Sequence, residues 1–336
     1  KDLVIVKHKP GRPSKGVKRL RSVVHQTKAK YPASLDSLHA IIPDAAIFTA
    51  FAKYVVPDED TDTADECQGS ADLPESLYAL FDPHWEELDN DEKAKRIDFL
   101  LNRRISELEV VEIEAQTRQQ RNCIQWFEQR CGRITGSVIA KVLKCKSATS
   151  AARLAVNIAQ SPLVQYQSRQ RKPQAIRYGI DHEHIARQQY IDYQVQHHQG
   201  FKCKDAGLCI FPQWQYVAAS PDGFIECSCC GRGVLEIKCP YKYRDTVISD
   251  IRDKAFYLDE NLNLKENHEY MFQVQTELAC ANVDYCDFVC WAKAGFLIVR
   301  IQRDHDFFDK HIPALQAFCR SAVLPQLLSR KSNLEH

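Results

Sequence analysis

Asp222, Glu236 and Lys238 bring two carboxylates and an ammonium into one short stretch of chain. They stand in Ser220-Pro221-Asp222-Gly223-Phe224-Ile225 and in Gly233-Val234-Leu235-Glu236-Ile237-Lys238-Cys239-Pro240. Both segments read as short strands joined by a Gly/Cys-rich turn. Side chains alternate along a strand, so Glu236 and Lys238 project from one face and Leu235 and Ile237 from the other. Asp222, at the rim of the preceding strand, can approach Glu236 across the hairpin. Two carboxylates this close repel each other unless a cation lies between them. Mg²⁺, with Mn²⁺ as a substitute, suits such a site because it takes oxygen ligands and combines one or two carboxylates with a substrate phosphate. The expected ligands are Asp222, Glu236 and the carbonyl of Ile237. A cation there acidifies water and stabilises charge on a phosphoryl oxygen. Lys238 either positions and helps deprotonate that water or neutralises the developing negative charge. Glu-x-Lys alone is a common surface pair; Pro-Asp-Gly upstream gives it meaning.

A second group stands upstream. Thr135-Gly136-Ser137 precedes Val138, Ile139, Val142 and Leu143, whose spacing predicts an amphipathic helix. Small hydroxyl residues at a helix start leave backbone N–H groups free to hold a phosphate. Arg130 and Arg133 add charge and bidentate hydrogen bonds. The plainer reading is ordinary capping beside surface arginines. Cys227-Ser228-Cys229-Cys230 lies in the turn between Asp222 and Glu236. With Cys203, Cys209 or Cys239 nearby, four thiolates can hold structural Zn²⁺, but this is not the spacing of two separated Cys-x-x-Cys pairs. Free cysteines at a tight turn are therefore the expectation. His182, His184, His197 and His198 read as exposed or DNA-facing, not as ligands.

These groups must be positioned by regular elements. Asp91–Glu128 reads as helical, with apolar residues at Ile97, Leu100, Leu101, Ile105, Leu108, Val111 and Ile113 and no Gly or Pro. From about 200 to 240 the pattern changes to short β runs punctuated by Gly and Pro, and from about 305 it is helical again. The expectation is an α/β core, a small mixed sheet flanked by helices, over 91–333. Residues 1–90 form an accessory region, and Leu334-Glu335-His336 reads as a vector scar. Lys1 is not an initiator Met, so the chain reads as cut from something longer.

The chain has 336 residues, 44% hydrophobic and 26% charged, the composition of a globular protein. No apolar run is long enough for a membrane span, and Leu3–Val6 is too short for a secretion signal. An intracellular protein is expected, nuclear if eukaryotic, with its 14 cysteines largely free thiols. The net charge of +1 hides segregation: residues 1–30 carry ten Lys/Arg against Asp2, and residues 54–92 carry fourteen Asp/Glu and no Lys or Arg. Lys9-Pro10-Gly11-Arg12-Pro13-Ser14-Lys15-Gly16 resembles an AT-hook, which lays Arg12 into a narrow minor groove of negative potential. A solvated linker or localisation tail is the alternative. The acidic stretch is a flexible linker or a screen for a basic DNA channel.

Pro221-Asp222 with Glu236-Ile237-Lys238 resembles the signature of the restriction-endonuclease-like PD-(D/E)XK nucleases. The longer string Ser220–Gly223 and Leu235–Pro240 resembles the narrower YqaJ-like viral recombinase family, which includes the phage lambda exonuclease. Trp126 with Arg130-Cys131-Gly132-Arg133-Ile134-Thr135-Gly136-Ser137, then Tyr178-Gly179, Glu183, Ala186 and Tyr190, agree in order. Arg244-Asp245 and Tyr270-Met271-Phe272-Gln273-Val274-Gln275 follow. The resemblance spans about 120–305 and leaves out 1–90. Gly136 stands where the family often has Ala. The resemblance implies a restriction-endonuclease-like core. It also implies an enzyme degrading double-stranded DNA from 5′-phosphorylated ends, with Mg²⁺. Mononucleotides and a 3′ single-stranded tail for recombination would result. Arg130 would grip the 5′-phosphate, Glu183 reach toward the metal, Gln273 lie beside the site, and Arg244 contact backbone phosphate. A ring-shaped trimer and a single-strand annealing partner are known in the family. A transposon-associated endonuclease cutting internally and an inactive DNA-binding module remain as alternatives.

Overall fold

The structure is a computed structural model that describes residues 3–7, 73–168 and 172–329. Arg12 and most of the basic and acidic segments lie outside the described residues. Strand β1 (Leu3–Lys7) is followed by helices α1 (Asn90–Leu101), α2 (Glu107–Gln116) and α3 (Ile124–Arg130). Then come β2 (Ile134–Thr135), α4 (Gly136–Leu143), α5 (Ala148–Ile158), α6 (Pro162–Ser168) and the long α7 (Gln174–His197). Strands β3 (Lys202–Lys204), β4 (Cys209–Ile210), β5 (Val217–Ala219), β6 (Gly223–Cys227) and β7 (Gly231–Lys238) lead to α8 (Glu269–Ala281). The chain closes with β8 (Tyr285–Ala292), β9 (Gly295–Gln302), α9 (Phe307–Phe318) and α10 (Leu324–Ser329).

Among the described residues, six strands form a mixed sheet in the order β1-β9-β8-β7-β6-β3. The pair β7–β8 is parallel, joined through α8, and its neighbours are antiparallel. A small sheet, β2-β5-β4, lies apart from it. The expected α/β core with a mixed sheet and flanking helices is present. All eight residues of β8 are buried, as a central strand covered on both faces requires. Its Cys286, Phe288 and Cys290 pack with Val274 and Leu278 of α8, while Val289 and Trp291 pack with Tyr178, Ala186 and Tyr190 of α7. The sheet is thus sandwiched between these two helices, and they carry much of the site. No helix among the described residues is long and apolar enough to cross a membrane.

The helical stretch after residue 90 is three helices rather than one. Asp89 and Glu92 close a capping box on α1, and Ser106 and Glu109 close one on α2. Each box satisfies orphan N–H groups at a helix start and so fixes where the break falls. Ile97, Leu100 and Ile113 are buried as expected, but Leu108 and Val111 are exposed because α2 turns them away from the core. The compact unit also begins earlier than residue 91. Leu77 and Trp85 enter the same core as α10, and β1 pairs with β9. Those apolar residues are hidden among acids in the sequence, which is why the region reads as linker.

Asp287 on β8 is fully buried and accepts hydrogen bonds from Tyr190 Oη at 2.8 Å and Gln194 Nε2 at 3.0 Å on α7. Arg300 on β9 closes a bidentate pair with it, Nε at 2.7 Å and Nη2 at 3.0 Å. This network docks α7 on the sheet. Asp287→Ala strands a guanidinium and a phenol, and urea unfolding is expected to show a loss of about 3–5 kcal/mol. A loss under about 1 kcal/mol would mean that water replaces the carboxylate.

Candidate active site

Asp222 lies between β5 and β6 and is pinned to β7 on either side of Glu236. Its N–H donates to the Leu235 carbonyl at 3.0 Å, and its Oδ2 accepts from the Ile237 N–H at 2.6 Å. Its own carbonyl accepts from Arg187 Nη1 of α7 at 2.5 Å. Gly223 must follow, because a Cβ there would stand 2.9 Å from the Lys204 carbonyl oxygen. Leu235 and Ile237 face α7, and Glu236 with Lys238 faces α8, the alternation read from the sequence.

Glu236 is 2% exposed. Its Oε1 accepts from Lys238 Nζ in a tight ion pair and from Gln273 Nε2 at 2.6 Å. Gln273 Nε2 also donates to Glu277 Oε1 at 2.8 Å, so one amide spans two buried carboxylates. Glu236 Oε2 and Glu277 Oε2 are buried without any hydrogen-bond partner among the described residues. Glu183 of α7 and Ser137 of α4 join Lys238, Ile237 and Gln273 around an open cleft of about 610 Å³. Gly136 brings α4 close: a Cβ there would be 3.3 Å from the Gln273 carbonyl oxygen.

The electrostatics are those of crowded acids. Burial, then Glu236 alongside, raises the Asp222 pKa to about 7. Burial, then Asp222, raises Glu183 to about 7. Glu277 is pushed well above the usual carboxylate range by burial and by Glu236. Burial works against the charge on Lys238, but Glu236 and Asp222 outweigh it and hold the ammonium charged, also 4.7 Å over the Tyr270 ring. An unpartnered buried carboxylate oxygen costs stability, and so do carboxylates forced together. A hard divalent cation relieves both, and an all-oxygen donor set of Asp222, Glu236 and Glu183 suits Mg²⁺.

The remaining sequence candidates divide. Arg130, half-buried, stacks on Trp126 with its guanidinium 3.9 Å from the ring centre, and that guanidinium makes no hydrogen bond among the described residues. Trp126 Nε1 donates to Ser220 Oγ at 2.9 Å, tying Arg130 to the loop that carries Asp222. Arg133 was expected on phosphate but is turned inward, 3% exposed, donating to the Gln215 carbonyl at 3.0 Å and to that of Gln129. The cause is Gly132 at φ +78°, which folds the chain back. Thr135 is buried at the start of α4, its Oγ1 3.3 Å from Ser137 Oγ, leaving Ser137 exposed to the cleft. Arg244 stacks over Tyr241, which lines the cleft, and pairs with Asp245 at 3.3 Å. The helical spacing puts Glu277 on one face with Tyr270 and Gln273, but nothing in the sequence assigns it a role at the site. His198 is no isolated surface histidine: its Nδ1 lies 3.1 Å from Cys229 Sγ.

Comparison with known proteins agrees with the resemblance carried by these motifs. Residues 125–284 match the family model described as the YqaJ-like viral recombinase domain. No curated protein sequence matches the chain. Among solved structures, an alkaline exonuclease from Laribacter hongkongensis is 26% identical, with a TM-score of 0.44 over 58% of this chain and 90% of that one. The same enzyme bound to dAMP is 25% identical with the same TM-score and coverage. The shutoff and exonuclease protein of Kaposi's sarcoma-associated herpesvirus is 10% identical, with a TM-score of 0.43 over 73% of this chain and 76% of that one.

Proposed function

With residues 125–284 matching the YqaJ-like viral recombinase domain, we propose that the protein is a Mg²⁺-dependent deoxyribonuclease. Its substrate is double-stranded DNA with a 5′-phosphorylated end. It hydrolyses one strand from that end to mononucleotides and leaves a 3′ single-stranded tail for recombination. The observation that carries the reading is the buried, unpartnered Oε2 of Glu236, whose other oxygen is held by Lys238 and Gln273 at the lining of an open cleft.

Asp222 and Glu236 hold the cation, with the Ile237 carbonyl and Glu183 completing the protein's oxygen set. A bound divalent ion supplies positive charge for the scissile phosphate and acidifies water. Lys238, held charged, stabilises the negative charge that builds on the phosphoryl oxygens. Gln273 orients Glu236 by its 2.6 Å hydrogen bond. Ser137 and Arg130 receive the terminal phosphate, and Arg244 a phosphate further along the strand. The Arg130 guanidinium, which makes no hydrogen bond among the described residues, is suited to that role, and Arg244 keeps donors beyond its pair with Asp245.

The test uses linear duplex DNA labelled separately at each end, with 5′-phosphate or 5′-hydroxyl, beside closed circles. The expected result is loss of the 5′ label as mononucleotide in Mg²⁺, with circles untouched. Arg130→Ala is expected to reduce the preference for 5′-phosphate over 5′-hydroxyl ends by at least about tenfold, as the loss of a charge-assisted hydrogen bond implies. Nicked circles would show internal cutting instead. Tight binding without cleavage in any divalent metal would leave a DNA-binding module.

A further inference from the structure

A second constellation lies at the opposite end of the β6–β7 hairpin from Asp222. His198 follows the last residue of α7, Cys227 ends β6, and Cys229 and Cys230 form the turn into β7. One donor atom from each lies within 4.8 Å of all the others. His198 Nδ1 stands 3.1 Å from Cys229 Sγ, 3.5 Å from Cys230 Sγ and 3.6 Å from Cys227 Sγ. The sulfurs of Cys227 and Cys229 are 3.4 Å apart, and those of Cys229 and Cys230 3.8 Å. A tetrahedron with Zn–S of about 2.3 Å and Zn–N of about 2.0 Å sets its donors roughly 3.5–3.8 Å apart. The observed separations fall close to that figure. Thiols are weak hydrogen-bond partners, so their own attraction gives little reason for three of them to crowd around one imidazole nitrogen.

We propose that His198, Cys227, Cys229 and Cys230 bind one structural Zn²⁺. Three thiolates and a neutral imidazole leave the complex with one net negative charge. Arg300 answers it: Nη1 lies 3.2 Å from Cys230 Sγ while the rest of its guanidinium holds Asp287. Such a charged donor steadies a ligating thiolate. The backbone is already drawn together here, with the Ser228 N–H donating to the Gln199 carbonyl at 3.0 Å. All four positions are taken by protein atoms, which marks the site as structural rather than catalytic. Its effect is mechanical. It clamps the C-terminal end of α7, the helix of Glu183, to the closed end of the hairpin of Asp222, Glu236 and Lys238. Both supports of the carboxylate centre are thereby tied together far from the substrate. Zinc occupancy here does not depend on the nuclease reading.

The experiment measures zinc in the purified full chain by mass spectrometry after a chelator wash, then exchanges it for Co²⁺. About one zinc per chain is expected, with the thiolate charge-transfer and visible bands of tetrahedral Co²⁺. Cys229 is exposed, so Cys229→Ser should fold; it is expected to lose the tightly held zinc and, at equal Co²⁺, most of the thiolate charge-transfer band. His198→Cys should keep the zinc, as a four-thiolate site, and Asp222→Asn should keep it unchanged. Zinc at a small fraction of the chain, or zinc and spectrum unaltered in Cys229→Ser, overturns the proposal. So does zinc lost only in Asp222→Asn.

Discussion

Lys238→Ala is expected to lower the rate of DNA hydrolysis by about 10³-fold, or about 4 kcal/mol of barrier, with little change in DNA affinity. Among the described residues the ammonium is the one positive side chain that pairs with Glu236, and it faces the cleft. Glu236 and Asp222 hold its pKa above the ordinary lysine value, so it is charged. Charge that develops only as the phosphodiester breaks is stabilised in the transition state and hardly at all in the bound substrate. The loss therefore belongs in kcat. Single-turnover kinetics with saturating enzyme measure it directly. Lys238→Arg keeps charge but not shape and is expected to recover only part. A loss confined to KM would move Lys238 to a substrate-binding role.

Asp222→Asn is expected to act in opposite directions on activity and on stability. Activity is expected to fall by about 10³-fold or more, because a carboxylate proposed to hold the cation is gone. Stability without metal rises. The folded-state values of Asp222 and Glu183 lie at about 7, above their ordinary 3.8 and 4.5. Between pH 4 and 7 or so the folded protein holds more protons than the unfolded chain, so metal-free stability falls as pH rises through that window. An amide at position 222 can still accept from the Ile237 N–H but brings no charge against Glu236 and Glu183. In chelator at pH 8 the variant should melt about 2–4 °C above the parent, and the gap should close toward pH 5. Mg²⁺ should raise the parent's melting temperature at pH 8 and leave the variant's nearly unmoved. A variant that melts below the parent in chelator at pH 8 would show that the carboxylates are not mutually strained.

The centre of the site was legible because a strand has a fixed period. Once Leu235 and Ile237 are taken as core, Glu236 and Lys238 must share the other face, and the structure places them so. The spacing to Asp222 was legible for the same reason, since a hairpin returns the chain to a set register. Features that depend on distant returns were not. Glu277 lies within the buried run Val274–Cys280, where a carboxylate looks like an intrusion until Gln273 and Glu236 are seen beside it. His198 and Cys227 are separated by β3, β4 and β5, and only the fold brings them within reach. Arg133 shows the converse error: a charge beside Thr135-Gly136-Ser137 suggests phosphate, yet the turn at Gly132 sends it to backbone carbonyls.

Strand β1 has a consequence for any experiment that shortens the chain. It covers the outer edge of β9 over five paired positions, Leu3 with Val299 through Lys7 with Gly295. Deleting everything before residue 73 to remove the basic arm would also strip that cover. Every second residue of that stretch of β9 would then offer unsatisfied N–H and C=O groups to any passing strand, including the same strand of a second molecule. Self-association and lost solubility in such a deletion would report a bare sheet edge, not a failure to bind DNA. Leaving Leu3–Lys7 in place, by replacing only the arm's arginines and lysines, keeps the two effects apart.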